Sequence, residues 1–215
     1  TEKLLSEAQD ALSTPSNVYG MFSNADLEFE DAIDKDGQAY PLTQGTFIKY
    51  LESDDRELRA SAFRNVYKAY GAHNNTLGAT LAGEVKKNVF NARTHHYRSA
   101  RERALSNNHI PEAVYDNLIK TVHKYLPLLH RYTKLRQELL GLDDLKMYDL
   151  YTPLVKDVKF EMPYEEAKSW MLKALEPMGE EYLNVVKEGL DNRWVDVYEN
   201  KGKRSGGYSS GGHLT

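Results

Sequence analysis

The residues best suited to binding chemistry stand near the end of the 215-residue sequence, in a basic run rich in glycine. Residues 194–198 carry valine, tryptophan and tyrosine side chains, which suit an extended backbone. Gly206 and Gly207 follow, and two missing side chains let another backbone approach closely. One interpretation of residues 201–208 is therefore an edge that receives an extended peptide by main-chain pairing. The other is a flexible surface loop, because paired glycines are common in loops.

The seven histidines are poorly spaced for holding one metal ion. His123 and His130 share a helix face but stand two turns apart, which is about 10.5 Å along the helix axis. Zinc needs nitrogens about 2.1 Å away, and a separation of four residues along a helix provides this. His95 and His96 are adjacent and point about 100° apart on a helix. We therefore predict no metal site within this chain. The remaining histidines stand alone in the sequence: His73, His109 and His213.

Other catalytic arrangements are also missing from the sequence. Ser205, Ser209 and Ser210 lack the strand, turn and helix pattern of a nucleophile elbow. The glycine-rich residues 202–212 do not lead from a strand into a helix, so no phosphate cradle is predicted. We therefore predict no catalytic residue in this chain. A small basic cluster in the same run is either solvated or attractive to a peptide carboxylate: Lys201, Lys203 and Arg204.

The composition excludes several classes of function. Hydrophobic residues make up 40% of the chain and charged residues 28%, with a formal net charge of −4. Proteins that bind phosphate backbones are normally basic, so we predict no nucleic-acid partner. No apolar run approaches the roughly 18 residues needed to span a bilayer, so no membrane partner is predicted. The absence of cysteine excludes disulfides and is compatible with the cytoplasm, where we expect the protein to act.

Helical spacing dominates the first half of the sequence. Residues 4–12 form a short amphipathic pattern that is followed by Pro15. Apolar residues recur at helical spacing over residues 58–92. Three glycines weaken this run, so it predicts one long helix or two, with the break between Gly71 and Thr76.

A second set of helices is predicted in the other half. The first begins at Pro111, contains Pro127 as a kink and ends before Gly141. Pro163 opens the next, and a segment that starts or kinks at Pro177 completes the set.

A hairpin signal interrupts the helices near the start of the chain. Residues 25–33 alternate polar and apolar side chains, an Asp-Gly turn follows, and the chain returns as a second strand. Thr43 or Thr46 is predicted to cap a short helix, and Ser53 to cap the next one. The predicted fold is therefore mostly α: a multi-helix array with a small β hairpin at about residues 28–42 and a C-terminal strand at about residues 194–210.

Six short segments resemble, in the same order, parts of oligoendopeptidase F in the thimet-oligopeptidase-like family of zinc metallopeptidases. The similarity extends over most of the chain, from about Tyr19 onward. A single segment is weak evidence, but six in one order are specific. These segments are YLESDDR at 50–56, TLGATL at 76–81, NHIP at 108–111, LPLLHRY at 126–132, MYDLY at 147–151 and WVDVYEN at 194–200.

The resemblance implies a zinc endopeptidase that cuts short, unfolded peptides. In that family helical layers wall a deep channel above the metal, and the metal polarises the scissile carbonyl while a glutamate moves the proton. Ser205, Gly206, Gly207 and Tyr208 match the family's edge strand, which holds the substrate backbone extended beside the zinc. The resemblance thus assigns these residues to substrate binding.

The family's His-Glu-x-x-His pair is missing from the sequence. We therefore expect an internal fragment that ends before the zinc helix, binds no zinc itself and is inactive alone. Residues 1–110 would form an N-terminal helical region with the hairpin, and residues 111–215 the start of the peptidase domain. Apolar surface built to face a missing part should cause self-association. The alternative is a helical peptide-binding or scaffolding module that is not an enzyme.

Overall fold

The computed structural model describes residues 2–155, 161–198, 203, 206, 207 and 209. The chain divides into two compact units, of which the first is Thr1–Leu154 with Gly202–Thr215 and the second is Val155–Lys201. The described residues are mostly helical, as the sequence predicts. The α-helices are α1 (Glu2–Met21), α2 (Gln44–Leu51), α3 (Arg56–Gly71), α4 (Asn74–Thr94), α5 (Ala100–Ser106), α6 (Glu112–Leu139), α7 (Tyr164–Ala174) and α8 (Glu180–Asp191).

The β hairpin lies within the predicted residues 28–42 but is short. Strands β1 (Ala32–Ile33) and β2 (Ala39–Tyr40) pair antiparallel, with Ala32 opposite Tyr40. The turn between them depends on two residues. Gly37 adopts φ +83°, and the Asp34 carboxylate accepts hydrogen bonds from the backbone of Asp36 and Gln38. A hairpin this small needs support from other elements.

Helices α2 and α3 supply that support. Ala32 of the hairpin is fully buried, and the Ser61 hydroxyl of α3 accepts a hydrogen bond of 2.9 Å from the Ile33 backbone. The hairpin therefore completes the apolar core of the first unit. This core contains Ala32, Leu42, Tyr50, Leu58, Ala62 and Val66, with Phe29, Tyr40, Phe47 and Tyr70 packed at its edge.

The helix caps follow the sequence only in part. Thr43 caps α2 in a reciprocal arrangement with Thr46, so both candidates take part. Ser53 does not cap α3. Asp55 does so, by accepting hydrogen bonds from the backbone of Glu57 and Leu58. The Ser53 hydroxyl instead accepts from the Asp55 backbone at 3.1 Å and so holds the capping residue in place.

Helix α1 is longer than the predicted residues 4–12. Pro15, which is predicted to follow the helix, lies inside it. Pro15 contacts α4 where Gly83 leaves room: a β-carbon at Gly83 would stand 2.8 Å from the proline ring. The α1–α4 packing therefore compensates for the backbone hydrogen bond that proline cannot make. The predicted break after Gly71 is confirmed, since α3 ends at that residue and α4 begins at Asn74.

The second unit contains α7 and α8, joined by a 3₁₀ turn at Glu176–Met178. The Lys168 ammonium of α7 lies 2.8 Å from the Asp191 carboxylate of α8. Helix α8 ends where Arg193 takes φ +66° and the Trp194 backbone donates to the Gly189 carbonyl at 3.1 Å. The Trp194 ring then covers Gly189.

This helix end corrects the prediction of a C-terminal strand at about residues 194–210. Residues 194–198 are irregular, because Trp194 turns back onto α8 instead of starting an extended segment. Most of the remaining predicted strand lies outside the described residues.

Candidate functional site

The predicted substrate-binding residues are only partly described. Gly206 and Gly207 are exposed, and beyond their own chain neighbours no heavy atom of the described residues lies within 4 Å of the place a β-carbon would take at either residue. Gly206 adopts φ +126°, a conformation that residues with side chains rarely reach. Ser205 and Tyr208 lie outside the described residues. The two glycines therefore present open backbone, and their geometry alone does not identify a ligand.

A buried carboxylate in the first unit gathers charges from distant parts of the chain. Asp149 is fully buried in a 3₁₀ turn, Met147–Asp149. The Arg59 guanidinium donates to one carboxylate oxygen at 2.8 Å, and Arg56 donates to the other at 2.9 Å. The backbone of Lys146 also donates to this carboxylate. Arg56 and Arg59 stand one helical turn apart on α3, so one acidic side chain can receive both.

Arg136 connects the same turn to α6. Its guanidinium is buried and donates to the backbone carbonyls of Asp149 and Thr152. Helix α6 and the start of α3 are therefore linked through one turn. We define the Asp149 cluster as Asp149 with Arg56, Arg59 and Arg136.

The Asp149 carboxylate is ionised despite its burial. Burial alone raises its pKa, but the hydrogen bonds from Arg56, Arg59 and the Lys146 backbone outweigh that effect, so the pKa lies below the usual aspartate range. A buried charge of this kind positions chain segments well. Because its oxygens are occupied by hydrogen bonds, it is unsuited to general-base catalysis. The cluster is structural.

Sequence reasoning missed the Asp149 cluster, although a signal was present. Arg56 ends one of the segments that carry the family resemblance, and Asp149 lies at the centre of another. An acidic residue between Tyr148 and Leu150, in an otherwise apolar and aromatic run, indicates burial with a partner. Spacing could not identify that partner, because Arg56 and Asp149 are 93 residues apart.

An apolar cleft of about 460 Å³ lies between α1, α3 and α4. At its rim the Glu84 carboxylate is 2.6 Å from the Lys87 ammonium and accepts a hydrogen bond from the Ser16 hydroxyl at 3.1 Å. The charged groups at the rim are thus paired with each other, and the cleft offers mainly apolar contact. It is lined by Pro15, Ser16, Tyr19, Tyr70, Leu77, Thr80, Leu81 and Glu84.

The described residues do not fit a zinc site. Six of the seven histidines lie among them, and His213 does not. Across residues 2–155 and 161–198 no three histidine, aspartate or glutamate side chains are grouped so that they could hold a metal ion.

In the same part of the chain, no helix has both the length and the apolarity needed to cross a bilayer.

Comparison with known proteins shows the same similarity along the whole chain. Oligopeptidase PepF of Bacillus subtilis (strain 168) is 58% identical over 214 residues, which is 100% of this chain and 32% of the relative. Group B oligopeptidase PepB of Streptococcus agalactiae serotype III (strain NEM316) is 46% identical over 214 residues, which is 100% of this chain and 35% of the relative. The chain thus spans about a third of the length of these curated relatives.

A solved structure agrees in both sequence and fold. The crystal structure of oligoendopeptidase-F from Enterococcus faecium matches with a TM-score of 0.70 and 42% sequence identity, over 89% of this chain and 36% of the other. The family model described as peptidase family M3 matches residues 49–215, which include the Asp149 cluster, α6 and the glycine-rich run. The chain therefore belongs to peptidase family M3.

Proposed function

We propose that these 215 residues are the substrate-handling part of a zinc-dependent oligopeptidase that cleaves short, unfolded peptides. The observation that carries the proposal is the 58% identity over 214 residues to a protein named as an oligopeptidase. The described residues offer no zinc ligand set, so the proposal assigns the zinc to other residues of a longer protein. The proposal also keeps the domain boundary expected from the sequence, with an N-terminal helical region at residues 1–110 and the start of the peptidase domain at residues 111–215. It assigns the protein to the cytoplasm, with which the absence of cysteine is compatible.

The role proposed for the glycine-rich run is to hold the substrate backbone. A bound peptide gains affinity from main-chain hydrogen bonds when no side chain stands between the two backbones. The open space at Gly206 and Gly207 supports this role. Ser205 and Tyr208 complete the proposed set of substrate-binding residues. The helices of the first unit would wall the channel, and that wall would restrict access to small peptides.

Cleavage kinetics test the backbone-binding role. In the full-length gene product, Gly207→Val should lower kcat/KM for a short quenched fluorogenic peptide by at least about tenfold, because the new side chain holds the substrate away. Gly78→Val is the matched control, since Gly78 is also exposed with open space around it, in the second turn of α4. The control should leave kcat/KM unchanged. An unaltered kcat/KM in Gly207→Val would remove this run from substrate binding.

The same assay on the isolated 215 residues tests the assignment of the metal. We expect no cleavage. If the isolated chain cleaved the peptide and a chelator abolished that activity, the assignment of the zinc to other residues would be wrong. If the full-length product also cleaves no peptide, the non-enzymatic helical binding module becomes the better description.

A further inference from the structure

Helix α6 carries an apolar face of unusual width. Two heptad series run along it, with each residue seven after the last. Their apolar members are between 42% and 60% exposed, although the helix extends for about 42 Å through the first unit. These residues, the α6 seam, are Tyr115, Val122 and Leu129 in one series and Leu118, Tyr125, Tyr132 and Leu139 in the other.

The positions beside the seam are apolar too. Val114, Leu128 and Leu135 flank it on one side and are 48–55% exposed. Ile119, 43% exposed, and Leu126 flank it on the other side. In a two-stranded coiled coil these flanking positions usually carry glutamate and lysine. An apolar arc that includes both flanks is too wide for one neighbouring helix to cover, and it is typical of a helix placed between two neighbours.

The described elements of the first unit leave the seam open. Near its start α6 meets α5, where Arg101 lies 2.8 Å from the Glu112 carboxylate and 2.7 Å from that of Asp116. Near its end, the buried Arg136 holds the turn around Asp149. Between these two attachments the side chains of the seam remain about half exposed. The helix is thus held at its ends, with its apolar face uncovered.

The opposite face of α6 is suited to water. Lys120, Lys124, Arg131 and Lys134 are all exposed, and no acidic residue occurs between Asp116 and Glu138. On a helical projection the four cations share one side, opposite the seam. The cationic side is therefore suited to solvent, and the seam is suited to contact with other apolar elements.

We infer that two amphipathic helices outside these 215 residues pack on the α6 seam, one over each flank, and make α6 an interior helix of the longer protein. The relatives are about three times as long as this chain, so they have the length to supply both helices. A second copy of the chain, pairing through its own α6, would cover the centre and leave a flank exposed. This inference does not depend on the proposed peptidase activity.

Thiol labelling tests the inference directly, because the 215 residues contain no cysteine. Val122→Cys probes the seam, Ile119→Cys and Leu128→Cys probe the two flanks, and Lys124→Cys on the cationic face is the control. In the isolated chain, diluted until light scattering shows a monomer, all four should react with a maleimide at similar rates. In the full-length gene product the first three should react at least about tenfold more slowly, since reaction then requires local opening, and the control should be unchanged.

Four outcomes would overturn the inference. Equal labelling of Val122→Cys in the isolated chain and the full-length product would mean that nothing covers the seam. Protection on only one flank would mean a single neighbouring helix. Protection already present in the monomeric isolated chain would place the covering helices within these 215 residues. Protection of the full-length product that is lost on dilution would identify a second copy as the occupant. Site-specific mass spectrometry assigns each label, so any cysteines elsewhere in the full-length product do not interfere.

Discussion

Asp149 shows how a single buried charge can hold three segments together. Removing a carboxylate from water is costly, and that cost is recovered only when charged donors occupy its oxygens. Arg56 and Arg59 do so from α3, and Arg136 fixes the backbone of the same turn from α6. The arrangement is more directional than apolar packing because each hydrogen bond fixes an angle as well as a distance. The turn therefore has one position relative to both helices.

Replacing this carboxylate should be strongly destabilising. We expect Asp149→Asn to lower the free energy of unfolding by about 3–5 kcal/mol, because Arg59, only 3% exposed, is left as an uncompensated buried charge. Asp144→Asn is the control: Asp144 pairs with Lys146 at the surface, and its loss should cost less than about 1 kcal/mol. Urea unfolding of the chain measures both. Equal effects of the two substitutions would show that the Asp149 cluster adds little stability.

The same carboxylate should make stability depend on acid. The pKa of Asp149 is lower in the folded than in the unfolded chain, so its contribution is complete above the unfolded pKa and is lost as pH falls through the folded pKa. The difference in unfolding free energy between the wild type and Asp149→Asn should be constant near neutral pH and shrink below the ordinary aspartate range. Urea midpoints measured down the acid range test this. A difference that grows as the pH falls would contradict the prediction.

At the scale of elements, regular local patterns could be predicted and long-range contacts could not. The hairpin turn, the break after Gly71 and the start of α6 after Pro111 follow from local chemistry at those residues. The extension of α1 through Pro15 depends on contact with Gly83, which is 68 residues away in the sequence. The irregular path after α8 likewise depends on the Trp194 ring meeting Gly189, which a pattern of alternating residues does not reveal.

The candidate site was likewise predictable from the sequence only in part. A pair of glycines can be recognised from residue type alone, so Gly206 and Gly207 were predictable as open backbone. The partners of Asp149 were not, because any of the 28 lysines and arginines in the sequence could have paired with it. Selecting Arg56 and Arg59 requires knowing which face of α3 the turn reaches.

Two glycines of α4 should respond oppositely to alanine. Gly78→Ala should raise the free energy of unfolding by about 0.5–1 kcal/mol, because alanine favours helix and open space surrounds the site. Gly83→Ala gains the same propensity but forces a β-carbon to within 2.8 Å of Pro15, which should cost about 1–3 kcal/mol. Urea midpoints of the two variants compare them. If both variants were stabilised equally, the close approach of α1 to α4 would be refuted.

At the scale of the whole molecule, the described residues of the first unit expose extended apolar surface. Large apolar patches on soluble proteins mark contact with another surface. The α6 seam is one such patch, and the apolar cleft beside Pro15 and Leu81 is another. Both belong to the first unit and both are bordered by charged residues.

The isolated chain should therefore self-associate. Its weight-average mass in light scattering should rise with concentration, because two copies can bury part of the α6 seam against each other. Leu129→Glu should suppress this rise, since Leu129 lies at the centre of the seam and is 54% exposed. Lys120→Glu, on the cationic face, makes a larger change of charge and should not suppress it. A monomer at every concentration would contradict the prediction.

The pairing of Arg59 with Asp149 also has a consequence for how the protein is made. The two residues are separated by 90 positions, so Arg59 leaves the ribosome long before its counter-ion does. At about 5–20 residues per second, the delay is roughly 5–18 s. During this interval the hairpin, α2 and α3 can assemble their apolar core, and one guanidinium nitrogen can bond the Ser53 and Asp54 carbonyls, but the nitrogen that later meets Asp149 has to remain hydrated. The first unit therefore cannot complete its packing until Asp149 has been synthesised. A nascent chain stalled before residue 149 would expose Arg56 and Arg59 without their carboxylate partner, and chaperones could bind that surface.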